Sequence, residues 1–483
     1  MKTLYFDHAA TTPVSEQVLA EMLPYFEHQY GNASAMYALG RQSKRAIEQA
    51  RKRVANAINA KQSEIYFTSC GSESDNLAIK GIANANRNRG NHIITSKIEH
   101  HAVLNTCKTL EKQGFEVTYL NVDENGFIDI NQLINSIRST TILISIMFAN
   151  NEIGTIEPIQ EIGKIARANN IIFHTDAVQA IGNVRIDVNK LNIDSLSMSG
   201  HKFYAPKGIG ALYVREGVKF EKIQDGGHQE KDKRAGTENV AEIVGLGKAI
   251  EDVYANYERY NEHLQNLRDF YIAQIEQKIP TAKLNGDRRS RLPGNANFSF
   301  SNINAQKLLL ELDEKGICAS AGSACSVAYG VYPYALGSDT GDSIRKPAGY
   351  CGIVGYKPTY GMISRFGLFP FASSLDTCGV LTRSVEDAAI VVDGMKGIDE
   401  NDQTSWNSSN INLYNDLSKD VKGKKLFYIK EITDISNYPH ASNELKMHLE
   451  NYQKVLEKLR NIGVTVEEVS IDKTLLSVIP GVN

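Results

Sequence analysis

SMSGHKFYAPKGIG, residues 197–210, reads as a short strand that runs into a turn punctuated by Pro206 and Gly208. The turn presents Ser199, His201 and Lys202 together at the strand end. A lysine is ordinarily a solvated surface charge. Partial desolvation and neighbouring positive groups lower the pKa of an amine, so a lysine in this setting suits covalent capture of a carbonyl group.

Working outward, FHTDAVQA (173–180) puts Asp176 at the carboxyl end of another apolar run. A carboxylate there either caps the next helix or pairs with a protonated pyridine nitrogen. EIYFTSCGSESDNLAIKG (64–81) reads as strand, Gly-containing turn and helix. Free N–H groups at that helix start, with the Ser72 hydroxyl, form a phosphate site; Ser72 or Ser74 as a plain N-cap is the alternative.

These pieces belong to a longer alternation of helix-period and short apolar segments, from about residue 40 to 320, which predicts an α/β domain with helices on both faces of a sheet. The strands expected include HIITS, EVTYLNV, TILISIMFA, IIFHTDA and IDSLSMS. One long helical stretch follows from Thr237 to Ile279, and INAQKLLLELDEKG (303–316) opens a smaller domain. Beyond Ser326 the texture turns Gly-rich, ending in an amphipathic helix (442–463) and a strand, VTVEEVS. The expected domains are 1–260, 261–326 and 327–483.

Bulk properties narrow the function classes. The 483 residues carry 53 basic and 56 acidic side chains, a net charge of -3, which gives no broad field for nucleic acid or an anionic membrane. No apolar run reaches membrane-spanning length, and no basic stretch followed by an apolar one opens the chain. A soluble cytoplasmic protein is expected. The six cysteines include no CxxC pair, so neither a disulfide framework nor a structural metal site is expected; apart from Cys325 they read as small buried apolar residues.

Taken in order, YFDHAATTPV, TSCGSESDNLAIKG, IEHHAVL, FANNEIGTIEPI, HTDAVQAIG, SMSGHKFYAPKGIG, RAGTENV and SAGSACS resemble the class V aminotransferase group of pyridoxal-phosphate enzymes, and within it the cysteine desulfurases, over residues 3–326. The resemblance implies the aspartate aminotransferase-like fold for the large domain. It implies that Lys202 holds pyridoxal 5'-phosphate covalently and that Asp176 pairs with the ring nitrogen. It further implies that Gln179 bonds the ring oxygen, His100 stacks on the ring and carries protons, and Asn151 lies near ring and substrate. Gly71, Ser72, Ser199 and His201 would hold the phosphate. Thr237 would reach the phosphate of a second subunit, which implies a homodimer. Cys325, on the small-residue loop SAGSACS, would take the sulfur of L-cysteine as a persulfide, leaving L-alanine. A sulfur-acceptor protein in iron–sulfur cluster assembly or tRNA thiolation would follow. Selenocysteine lyase shares these motifs.

Several positions depart from the pattern. Ala33 and Tyr37 replace the usual Pro and His, and Ser72 replaces Thr while keeping the hydroxyl. The rest of the small domain, with its substrate-clamping Arg, has no counterpart after Ser326.

From Val327 the chain instead resembles the amidase signature family, most closely the A subunit of glutamyl-tRNA amidotransferase, through ALGSDTGDSIRKPAGYCGIVGYKPTYG. Ser343 stands at the nucleophile position. The family's Lys lies in a region that is absent, Ala319 stands where the bridging Ser is expected, and Asp342 puts a carboxylate beside a developing oxyanion, which opposes its stabilisation. The expectation is an inert partial amidase domain with exposed apolar faces, joined within Gly322 to Ser326 by fusion or assembly at a shared GSA string. A fusion that binds cofactor without turnover, and an amidotransferase fragment, are the alternative functions.

Overall fold

A computed structural model describes residues 3–300, 303, 305–320, 334–351, 353–366, 368, 372–434 and 443–470. The chain divides into two compact units, Met1–Tyr332 and Pro333–Asn483.

The first unit is built on seven strands: β1 (Ile65–Thr68), β2 (His92–Ser96), β3 (Glu116–Leu120), β4 (Thr141–Ser145), β5 (Ile172–Asp176), β6 (Ser195–Ser199) and β7 (Gly210–Val214). Their order is β1-β7-β6-β5-β4-β2-β3. All run parallel except β7, which is antiparallel to both its neighbours. Every residue of β2 and of β4 to β7 is buried, as expected of a sheet covered on both faces.

Alternation along the strands sorts the core. Ile94, Ile144, Phe173 and Leu196 pack on one face with Ile47 and Val54 of helix Ala38–Ala57 and Leu246 and Ile250 of Val240–Ala255. Ile93, Leu143, Ile172 and Leu212 pack on the other with Leu77 and Ile82 of helix Gly71–Ala85 and Val103 and Leu110 of His101–Lys112. The parallel strands all end at one edge, so the turns that follow β1, β2, β4, β5 and β6 gather there.

The long helix expected over 237–279 is two helices, Val240–Ala255 and Tyr257–Lys278, separated at Asn256, which leaves helical geometry with ψ 11. The second helix runs through the domain boundary expected at 260. A hairpin, Ala282–Leu284 with Phe298–Phe300, and helix Ala305–Glu314 follow. Strand Ile317–Cys318 pairs in parallel with Leu4–Tyr5 near the start of the chain. Among the described residues that sheet has two strands, and Cys318 is half-buried instead of buried. Cys70 and Cys378 are likewise half-buried, and only Cys107 among the four described thiols is buried.

The second unit holds an antiparallel sheet, Tyr334–Asp339, Thr377–Thr382 and Val354–Tyr356, over a small core of Met362, Ile363, Val380, Ala388 and Val392. Strands Lys425–Ile429 and Thr465–Val469 pair in parallel, and helix Asn443–Asn461 falls where the amphipathic segment was expected. Phe427, Val455 and Ile462 are each more than half exposed. Among the described residues no helix is long and apolar enough to cross a membrane.

One buried ion pair ties the first unit together. Glu230 accepts from Arg51 Nη1 at 2.7 Å, from Arg51 Nη2 at 2.8 Å and from the Phe67 N–H of β1 at 2.9 Å. Removing one partner of a buried pair strands the other charge, so Arg51→Ala is expected to cost about 3–5 kcal/mol, measured by urea unfolding. Limited trypsin digestion is expected to cut Pro333–Asn483 before Met1–Tyr332; resistance throughout the second unit would contradict the exposure seen there.

Candidate active site

The site starts from a missing side chain. A Cβ on Gly71, the first residue of helix Gly71–Ala85, would lie 2.7 Å from Val178 Cγ2 and 3.3 Å from Ser199 Cβ. Only a glycine lets the turns after β1, β5 and β6 approach this closely. The N-cap of that helix is Cys70, whose side chain makes no capping bond. Ser72 sits exposed within the first helical turn, so its hydroxyl is not an N-cap. Ser74 is no cap either: it is buried, bonded to Thr68 Oγ1 at 2.7 Å and to Ala211 O at 3.2 Å. Gly71, Ser72 and Ser199 therefore lie together at a helix N-terminus that favours an anion.

Lys202 ends the short 3-10 turn Gly200–Lys202 after β6. Its ammonium donates to Ala10 O at 2.8 Å and also to Ala9 O. Burial pushes its pKa down, against the pull of the Asp7 and Asp176 carboxylates. His201 is held by Thr11, Nδ1 to Oγ1 at 3.1 Å, and burial lowers its pKa too.

Asp176 closes β5 and is buried. One of its oxygens accepts the Val178 N–H at 2.9 Å, so it holds its own turn while facing the site. Burial raises its pKa, opposed by that hydrogen bond and by the nearby His100 and Lys202. Behind it lies Asp75, fully buried, pushed well above the usual carboxylate range by burial and by Asp176. Asp75 Oδ1 has no hydrogen-bond partner and lies 3.7 Å from His174 Nε2. His174 bonds Ser145 Oγ at 2.9 Å and Ser197 Oγ at 3.0 Å, and burial drives its pKa down to about 3, so it is neutral.

His100 caps helix His101–Lys112, its Nδ1 accepting the Ala102 N–H at 3.1 Å. That bond fixes the tautomer and leaves Nε2 as the nitrogen that carries the proton. Glu99 braces the same loop: it accepts from Ser96 Oγ at 2.6 Å and from Met147 N at 2.9 Å, and burial raises it to about 8. The neighbouring Asn150 donates to Ile98 O at 3.2 Å and caps the turn that carries Asn151. Gln179 Nε2 donates to Ala9 O at 3.0 Å. Thr237 is exposed on the loop before helix Val240–Ala255; three residues upstream, Arg234 binds Glu73 beside Ser72 at 2.8 Å. Cys325 lies outside the described residues.

Sequence reasoning missed the seat beneath the lysine. Ala9 and Ala10 act through backbone carbonyls, which carry no residue-type signal, although YFDHAATTPV stood among the matching motifs. Asp75, Glu99, Asn150 and His174 were missed because burial and partners decide their roles. The residues present fit pyridoxal phosphate: a Cβ-free cradle and open helix start for the phosphate, a buried carboxylate for the ring nitrogen and a desolvated amine for the aldehyde.

In the second unit Ser343 is exposed on the turn before helix Arg345–Cys351. The N–H groups of Ile344 and Arg345 are taken by the buried Asp339 at 3.2 and 3.4 Å, and Lys357 Nζ lies 3.4 Å from the same carboxylate. The backbone donors after Ser343 thus already serve a carboxylate.

The Aminotransferase class-V family pattern matches residues 4–345, and the Amidase pattern matches 318–479. The two overlap across the expected join. The cysteine desulfurase IscS of Clostridium botulinum (strain Hall) is 58% identical over 329 residues, covering 68% of this chain and 83% of that protein. A solved NifS-like protein superposes with a TM-score of 0.66 at 37% identity, covering 68% of this chain and 90% of its own. A structure described as SspA in complex with cysteine superposes at 0.59 with 41% identity, covering 67% and 90%.

Gly71→Ala fills the cradle. Overpacking costs about 1–3 kcal/mol, so titration of cofactor-free protein is expected to show pyridoxal phosphate bound about tenfold more weakly.

Proposed function

The chain belongs to the class V aminotransferase family and is a pyridoxal-phosphate-dependent cysteine desulfurase; on that premise we propose how its own residues divide the work. The observation that carries the reading is the Lys202 amine, desolvated and seated at the convergence of strand ends that also holds the buried Asp176. Pyridoxal phosphate, when bound, supplies an electron sink for negative charge on the substrate α-carbon.

Lys202 would hold the cofactor through its aldehyde, and Asp176 would keep the ring nitrogen protonated. Gly71, Ser72, Ser199 and His201 receive the phosphate. Gln179, held against Ala9, keeps a second amide N–H for the ring oxygen, and Asn151 stands by the substrate. His100 moves protons through Nε2. The Cys325 thiolate attacks the sulfur of L-cysteine; the carbon–sulfur bond breaks, the sulfur stays on Cys325 as a persulfide and L-alanine leaves once its β-carbon is protonated.

The neighbour solved with cysteine supports the substrate. Chain length supports the thiol: Ser320, described and anchored to Asp7 at 2.8 Å, is five residues before Cys325, a reach of about 17 Å. The persulfide passes to an acceptor protein of iron–sulfur assembly or tRNA thiolation, in a cytoplasmic homodimer whose Thr237 reaches the second copy's phosphate. The occupied donors beside Ser343 argue against amidase chemistry in the second unit.

Purified protein is expected to absorb at about 420 nm, and Lys202→Ala to lose the band. Sulfide release from L-cysteine with reductant is expected, abolished by Cys325→Ala. A coloured protein that releases no sulfide would instead identify a fusion that binds cofactor without turnover. Glutaminase activity lost in Ser343→Ala would overturn the reading of the second unit.

A further inference from the structure

The segment from Leu4 to Ser15 runs from strand Ile317–Cys318 to the lysine turn. At one end Leu4–Tyr5 pairs with Ile317–Cys318, and Phe6 N donates to Cys318 O at 2.9 Å. At the other, Thr12 Oγ1 donates to His201 O at 3.0 Å and accepts the Tyr204 N–H at 2.8 Å. Between them Asp7 opens a turn: its carbonyl accepts the Ala10 N–H at 3.0 Å and the Thr11 N–H at 3.4 Å. That turn aims the Ala9 and Ala10 carbonyls at the Lys202 ammonium. The Asp7 side chain is itself fixed, accepting from Ser320 Oγ at 2.8 Å.

We propose that Asp7, held by Ser320, is a positioning residue for the Lys202 amine: its turn presents the two carbonyls that seat the amine, and its carboxylate supplies the counter-charge that retains the amine's proton until cofactor or substrate arrives. This rests on Lys202 being the amine that captures pyridoxal phosphate. The balance is simple. The ammonium gives up one proton to solvent, the free amine adds to the aldehyde carbon, and water leaves.

Besides Asp7, the titratable groups facing Lys202 are Asp176 from the end of β5 and His201 on its own turn. His100 and Lys207 act one step removed, through Asp176 and His201 respectively. Asp7 is the acidic group among these that can be neutralised without touching the ring-nitrogen partner.

A negative charge beside an amine favours the ammonium, so removing it frees the nucleophile at lower pH. The test follows the growth of absorbance at about 420 nm when full-length, cofactor-free protein is mixed with pyridoxal phosphate across a pH series. Asp7→Asn keeps an acceptor for Ser320 and removes only the charge. It is expected to capture cofactor about threefold faster or more at neutral pH, with the midpoint of the rate profile moved down. Ser320→Ala keeps the charge but releases it, and is expected to shift the profile the same way by less.

A profile for Asp7→Asn that overlays the unaltered protein, or a uniformly slower capture with an unmoved midpoint, would overturn the proposal and leave a structural strap only. Capture that persists in Lys202→Ala would sink the assignment of the lysine, a separate failure.

Discussion

Everything at the cofactor site depends on the approach of three strand ends that only Gly71 permits. With a Cβ there at 2.7 Å from Val178 Cγ2, the turns after β1 and β5 would have to shift apart from each other and from the turn after β6. The sheet supplies the rest of the constraint. Because β1, β2, β4, β5 and β6 run parallel, their carboxyl ends deliver a helix N-terminus, a histidine, an amide loop, a carboxylate and a lysine to one edge. The helices fix these ends by burying Leu77, Ile82, Leu246 and Ile250 against the two faces. The Arg51–Glu230 pair then clamps the loop before Arg234 to β1.

Electrostatics at that edge follow from dryness. Asp176 and Asp75 are buried together, and burial raises both, while the adjacent His174 is held neutral by the same desolvation. The groups that oppose this rise at Asp176 are His100 and Lys202 on the site side. Lys202 is poised between burial, which favours the free amine, and two carboxylates, which favour the ammonium. A site of this kind is ready for a protonated ring, whose positive charge would complete the balance beside Asp176.

Much of this was legible in the sequence, for physical reasons that differ from element to element. The strands of the first unit announce themselves because sheets covered on both faces need unbroken apolar runs, and the turns after them carry the glycines and polar residues that chemistry requires. The structure sets Gly71 against Ser199, with Asp176 at the end of β5 and Lys202 on the turn after β6. What the sequence concealed acts through the backbone or through burial: the carbonyls of Ala9 and Ala10, the bracing by Glu99 and Asn150, and the Asp75–His174 pair below Asp176. The break at Asn256 was also hidden, since helix periodicity continues on both sides of one residue that leaves helical geometry. In the second unit the amphipathic segment 442–463 predicted its helix, while Asp339 filling the donors after Ser343 follows only from the fold.

The central claim is that Lys202, and no other amine, meets the cofactor aldehyde at this convergence. Borohydride reduction of the loaded protein followed by peptide mapping tests it most directly. The pyridoxyl adduct is expected on the peptide that carries Lys202; an adduct on a different lysine, or none although cofactor is bound, would contradict it.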